Sequence, residues 1–192
     1  MTRNSLGPDY FEGIFQGDAD PWGLDSSEYE RAKFDATIAA LNGRRYRSAL
    51  EIGCANGALT ERLAPCCDRL LAIDISGTAV ADARRRLAPV PTVSICRMRF
   101  PEDQPDARFD LILLSEVAYY WSDADLAAAG GFIGRALDRG GDILLVHYTG
   151  QTDYPQTADD AVQKLRSAIA RELTVGVHHR ADRYRIDLWR AG

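Results

Sequence analysis

The chain has 192 residues, of which 46% are hydrophobic and 27% charged, and a formal net charge of -5. A chain of this length buries a full core without disulfide or metal staples, and the composition is that of a globular domain. The negative balance, with only two dense basic runs (Arg44-Arg45 with Arg47, and Arg84-Arg85-Arg86), argues against nucleic acid as the main partner, because phosphate binding draws on clustered Lys and Arg.

The opening stretch lacks a basic start, an apolar middle and a small-residue cleavage site, so no signal peptide is read. No apolar run approaches the roughly 20 residues that span a bilayer. Cys54, Cys66, Cys67 and Cys96 lack Cys-x-x-Cys spacing and matching His spacing, which predicts free thiols and no metal site. The expectation is one cytoplasmic, monomeric domain over residues 1-192, with residues 1-43 as a helical lid and 44-192 as the core.

In chain order, a short helix is expected around Tyr10 to Phe15. A second follows Ser26-Ser27, residue types that cap helices, and runs through "EYERAKFDATIAALNG" to Asn42-Gly43. Strands and helices then alternate. "RSALEIG" reads as a strand, "GALTERLAP" as a helix, "RLLAIDIS" as a strand, and "GTAVADARRRLA" as a helix whose basic end suits the helix dipole. "TVSICRM" and "FDLILLSEV" read as strands, with Pro101 to Ala107 a surface loop before the second. "DADLAAAGGFIGRALDRGG" reads as a helix ending in glycines, "DILLVHY" as a strand, and residues 159-173 as a helix. "LTVGVHHR" and "RYRIDLWR" lie a few residues apart, which predicts an antiparallel hairpin at one edge; His178 and His179 fall on its opposite faces and receive no role. Apolar strands separated by helices define an α/β, doubly wound and mostly parallel sheet covered on both faces.

In such sheets ligands bind at the carboxyl ends of the strands, so the first strand-to-helix turn is the natural site. There Glu51 precedes Gly53-Cys54-Ala55-Asn56-Gly57, and Asp74 closes the second strand, 21 positions after Gly53. Gly53 and Gly57 let backbone approach a ligand, and an acid at Asp74 accepts the two hydroxyls of a ribose. A helix cap is the plainer role for Asp74. The dinucleotide fingerprint Gly-x-Gly-x-x-Gly fits poorly, because positions 55 and 58 are alanine. An acid two residues before the first glycine suits a cationic methyl donor and would repel pyrophosphate. Its more direct job is to orient the turn.

With these residues the chain resembles class I S-adenosylmethionine-dependent methyltransferases. The resemblance to the nodulation protein S family rests on "DPWGLDSSEYERAKFDATIAAL", "ALEIGCANGALTERLA", "LLAIDIS", "FDLILLSEVAYYW" and "GGDILLVHYTGQTDYP". It implies a seven-stranded Rossmann-like sheet whose last strand inserts antiparallel. It also implies S-adenosyl-L-methionine as cofactor, with S-adenosyl-L-homocysteine as product. The implied acceptor is the free amine on the non-reducing-end glucosamine of a de-N-acetylated chitooligosaccharide, the precursor of a nodulation signal. Ala55 departs from the glycine usual in that pattern.

On that resemblance Glu51, Gly53, Cys54 and Gly57 form the cofactor turn, with Asp74 on the ribose and Ile75 against adenine. Backbone groups near Met98 are expected to read adenine, because no acid ends the third strand. Ser115 is expected to meet the methionine part of the cofactor, or simply to end its strand. Glu116 is expected to orient the acceptor amine and His147 to take its proton, the competing role of His147 being a hydrogen bond to a neighbouring loop. Tyr119, Tyr120 and Trp121 offer aromatic faces to sugar and cation, or pack a helix start. Trp22 and Arg31 belong to the lid, with Arg31 on the cofactor carboxylate or in a surface ion pair. The acceptor remains open to another metabolite, and the rival classes are a nicotinamide-dependent oxidoreductase and a non-catalytic adenosyl-binding module.

Overall fold

Seven runs rich in branched apolar residues form one sheet in the computed structural model, which describes residues 4-18 and 20-192. Residues 1-3 and 19 of the expected lid lie outside the described residues. Parallel pairing joins β1 (Ala49–Ile52), β2 (Leu70–Asp74), β3 (Val93–Arg97), β4 (Phe109–Ser115) and β5 (Leu137–Tyr148). β6 (Leu173–Arg180) and β7 (Tyr184–Ala191) form the expected hairpin. β7 sits antiparallel against β5, giving the order β3-β2-β1-β4-β5-β7-β6. The winding direction reverses between β1 and β4, and a crevice opens beyond their carboxyl ends.

Among the described residues, six α-helices cover the sheet: α1 (Pro8–Gly17), α2 (Glu28–Ala40), α3 (Ala58–Leu63), α4 (Gly77–Arg86), α5 (Asp123–Ala136) and α6 (Ala158–Ala168). Strand side chains alternate between faces. Leu50 and Ile52 of β1 join Leu126 and Ile133 of α5 and Leu165 of α6. Ala49 joins Phe34 of α2 with Leu59 and Leu63 of α3 on the other face. Coverage on both sides explains why every residue of β4 is buried, and so why "FDLILLS" reads as a continuous apolar run rather than an alternating one. Ser27, Ser76, Ser122 and Thr157 each accept the N–H three residues on, stopping α2, α4, α5 and α6 from fraying at their starts.

Two helix ends differ from the sequence expectation. α5 stops at Ala136, because Leu137 takes an extended backbone and pairs with Phe109. The glycines after it form a bulge inside β5, where the register shifts between Phe109 and Leu111 and Gly140 adopts φ +69°. α6 ends at Ala168 rather than 173, where Ile169 turns extended and buries its side chain. Both basic runs are spent inside the chain. Arg44 pairs with Asp142, Arg45 with Asp68 and Arg47 with Asp110, while Arg85 pairs with Asp82 and Arg86 with Asp25. Among the described residues, no helix is long and apolar enough to cross a membrane.

Candidate active site

A cavity of about 420 Å³ occupies the crevice, within the size range of small-molecule sites. The ends of β1, β2 and β4 line it, together with Phe11 and Phe15 of α1 and Phe34 of α2. α1 is fastened there by polar contacts. Glu12 accepts Ser76 Oγ at 2.8 Å and Thr78 Oγ1 at 2.6 Å, and these bonds to its ionised form hold its carboxyl down to about 2. Leu6 N–H donates to the Tyr120 carbonyl at 3.0 Å, and Ser122 N–H to Ser5 Oγ at 2.6 Å.

The first turn is built around left-handed backbone. Gly53 has φ +86°, and a Cβ there would lie 2.3 Å from Val117 Cγ1 and 2.7 Å from the Ser115 carbonyl. Only glycine fits. Ala55 carries φ +47°, uncommon for a residue with a Cβ, and its N–H donates to Asp74 Oδ2 at 2.9 Å. Asp74 Oδ1 accepts Ser76 N–H at 2.9 Å. A carboxylate offers about four acceptor positions, so roughly two remain on Asp74 for a ligand's hydroxyls. Burial raises the Asp74 carboxyl above its ordinary range, against the pull of these N–H groups. Asp74 lines the cavity together with Gly53, Cys54, Ile75, Met98 and Ser115. Hydroxyl acceptors beside an apolar slot of Ile75 and Met98 match a nucleoside. The Met98 N–H is committed to the Asp74 carbonyl at 3.0 Å, so of the backbone groups expected near Met98 to read adenine, that N–H is already used.

Three more expectations change. Glu51 is fully buried but absent from the cavity wall, since alternation along β1 sends it to the α3 face while Ile52 faces the cavity. Neither of its oxygens has a protein partner in bonding geometry, and this burial pushes its carboxyl up to about 7. Gly57 also lies off the wall. It caps α3 at φ +84°, and a Cβ there would sit 3.2 Å from Ala83 of α4, so it serves the turn and the approach of two helices. Arg31 lies off the cavity wall and donates to the carbonyls of Asp25 and Ser26, in the turn before its helix.

Glu116 stands at the other end of the cavity with φ +57°. Its Oε1 accepts Lys33 Nζ at 2.5 Å, and its Oε2 accepts Tyr119 Oη at 2.6 Å and Tyr148 N–H at 2.7 Å. Lys33 bonds Glu30 as well, at 2.9 Å, with 4% of its side chain exposed. Burial opposes the charge on Lys33, yet the two carboxylates outweigh it and hold the ammonium above its ordinary range. Burial likewise raises Glu30 despite its cation. His147 is fully buried and off the wall; its Nε2 accepts Ala118 N–H at 3.2 Å, and burial lowers it to about 4. A neutral imidazole with that nitrogen committed holds a loop. Its assignment as proton acceptor is therefore corrected.

The three expected aromatics sit both on the cavity wall and in the core at the turn after β4. Tyr119, Tyr120 and Trp121 all line the cavity. Tyr119 stacks on Tyr154 with centroids 5.4 Å apart, Tyr120 meets Phe11 edge-on at 4.9 Å, and Trp121 leans on Phe100 at 5.6 Å. Trp22 also reaches the wall, edge-on to Phe15 at 5.2 Å. Sequence reading missed Glu30 and Lys33. Their signal was present: positions 30, 33, 34 and 37 form one helical stripe, all four are buried, and two of them are charged.

The reversed sheet order with an antiparallel penultimate position for β7, and the ligand crevice above β1 and β2, define the class I methyltransferase fold. A family model described as "Nodulation protein S (NodS)" matches residues 16–138, and the chain belongs to that family. Nodulation protein S of Rhizobium tropici is 37% identical over 127 residues, covering 65% of this chain and 53% of that protein. The chain spans about half the length of the curated relatives it matches. A crystal structure of a putative methyltransferase from Pseudomonas syringae is 36% identical, with TM-score 0.74, covering 85% of this chain and 99% of that one. N-methyltransferase NodS from Bradyrhizobium japonicum WM9, solved with S-adenosyl-L-homocysteine, superposes with TM-score 0.84 at 24% identity over 97% of this chain and 99% of that one.

Proposed function

We propose that the chain binds S-adenosyl-L-methionine and methylates the free amine of the terminal glucosamine of a de-N-acetylated chitooligosaccharide. The observation that carries this reading is one continuous cavity running from Asp74, with acceptor capacity to spare, to Glu116 inside an aromatic wall. Asp74 would hold the ribose, Ile75 and Met98 the adenine faces, and the turn at Gly53 the remainder of the cofactor. When bound, S-adenosylmethionine supplies an electrophilic methyl on a cationic sulfur.

The chain's own part is binding, orientation and exclusion of water. Glu116 keeps roughly one acceptor position beyond its three donors, enough to fix one N–H of an amine. Tyr119, Tyr120 and Trp121 line the acceptor end with aromatic rings, and Phe11 and Phe15 of α1 line the same cavity. Alignment of nucleophile and methyl in a dry cavity supplies much of such a reaction's acceleration. The chain's relatives are called nodulation protein S, and one of them an N-methyltransferase, which supports an amine acceptor in nodulation.

Calorimetry with S-adenosylhomocysteine tests the first half, and Asp74→Asn is expected to weaken binding by roughly ten- to a hundredfold, the worth of one or two hydrogen bonds to a charged group. Radiolabelled methyl transfer to a free-amine chitooligosaccharide tests the second half. Transfer to a different amine and none to the sugar would replace the acceptor and leave the cofactor reading standing.

A further inference from the structure

Glu30, Lys33 and Glu116 form a line of three charged groups, and nothing in the reading above uses the first two. Lys33 Nζ lies 2.9 Å from Glu30 and 2.5 Å from Glu116, and the ammonium sits 5.3 Å above the Tyr29 ring. Two carboxylates and one ammonium leave one net negative charge on the wall of a largely apolar cavity. Such a charge is costly unless it meets a cation or strong donors. Two donors, Tyr119 Oη and Tyr148 N–H, fix the far oxygen of Glu116, so three elements hold this carboxylate in a single orientation despite its left-handed backbone.

Resting on the methyltransferase reading, we propose that Lys33 is a positioning residue that holds Glu116 as an oriented anion, and that the Glu30–Lys33–Glu116 line selects acceptors carrying a basic nitrogen. Lys33 pins the carboxylate that meets the amine, and Glu30 supplies the second negative charge, leaving the line net negative toward its ligand. A neutral acceptor, such as an N-acetylated sugar, gains nothing from that charge. Glu116 stays an orienting group: the amine arrives as its ammonium, which the net negative line attracts, and releases one proton to water before the nitrogen attacks.

The groups facing this line come from several elements. Tyr29 lies on α2, Tyr119 and Tyr120 on the turn after β4, and His147 on β5. Arg183 acts on Tyr29 from the turn before β7, Arg185 acts on His147 from β7, and Asp20 acts on Glu30 from the loop before α2. His147 is neutral here and adds no charge.

The experiment compares the wild-type chain with Lys33→Met, Lys33→Arg and Glu30→Gln. Affinity for S-adenosylhomocysteine is read by calorimetry, and kcat and KM for a free-amine chitooligosaccharide between about pH 6 and 9. For Lys33→Met, affinity for the adenosyl compound should stay within about threefold while kcat drops roughly a hundredfold, as for a misplaced orienting group. The acid limb of its kcat/KM profile should move to higher pH, because two facing carboxylates without their cation must share a proton. Lys33→Arg should recover part of the loss. Glu30→Gln should raise KM for the amine about tenfold with kcat nearly kept, since one elementary charge of attraction is gone. A Lys33→Met profile identical to wild type overturns the inference. If Lys33→Met fails to bind the adenosyl compound, Glu30→Gln decides, and an unchanged KM there overturns it. A wild-type chain that binds the adenosyl compound but methylates no amine overturns the reading beneath it.

Discussion

At the scale of single residues, Ala55 is the sharpest case. It sits at φ +47° where glycine would be unstrained. Left-handed backbone costs a residue with a Cβ about 1–2 kcal/mol, while glycine loses roughly 0.4–1 kcal/mol through the freer unfolded chain. Ala55→Gly is therefore expected to stabilise the protein by about 0.5–1 kcal/mol, read as a higher urea midpoint with unchanged slope. Of the residues expected at the site, Asp74, Gly53 and the Tyr119-Tyr120-Trp121 run were legible because each follows from its place at a strand end. Arg31 was misplaced for a geometric reason: it lies two positions from Lys33 on the helix, and only burial tells which of the two cations turns inward. Glu51 was misread differently, since a period of two sends it behind the sheet, and that parity depends on where the strand begins.

At the scale of elements, strands and helices were readable from periodicity and caps, whereas the glycine-rich end of α5 was not. In "AAAGGFIG" the letters give no reason to prefer one glycine over another. The fold does: a Cβ on Gly130 would come 2.5 Å from Ala168 Cβ of α6, whereas one on Gly131 would meet only Arg135 Nη1 at 3.4 Å. Helix propensity favours alanine over glycine by about 1 kcal/mol at either position. At Gly130 a backbone-to-backbone clash costing roughly 1–3 kcal/mol should outweigh that gain. Gly130→Ala is thus expected to lower the melting temperature and Gly131→Ala to raise it, by a few degrees each in calorimetry. Equal shifts for the two would contradict the observed crossing of α5 and α6.

At the scale of the whole molecule, two buried groups pull the pH dependence of the ligand-free protein in opposite directions. His147 falls from 6.5 to about 4 on folding, so its contribution is complete above pH 6.5 and fades as pH falls toward 4. Glu51 rises from 4.5 to about 7, so its contribution is complete below pH 4.5 and fades as pH climbs through 7. Between those limits each slope is about 1.4 kcal/mol per pH unit, with opposite signs, and the two nearly cancel. Urea titrations should find the wild type changing less from pH 5 to 6.5 than either single variant. Glu51→Gln should gain stability with rising pH across that window, and His147→Gln should lose it. The grip of Glu12 on Ser76 and Thr78 is expected to have a kinetic consequence: the clasp ties α1 to the turn that also carries Asp74, so a ligand passing α1 should be delayed by it. Arrival and departure then slow by a common factor and equilibrium affinity barely registers the clasp. Glu12→Gln should accelerate both rates severalfold in stopped-flow, and escape of spent product would pace each cycle.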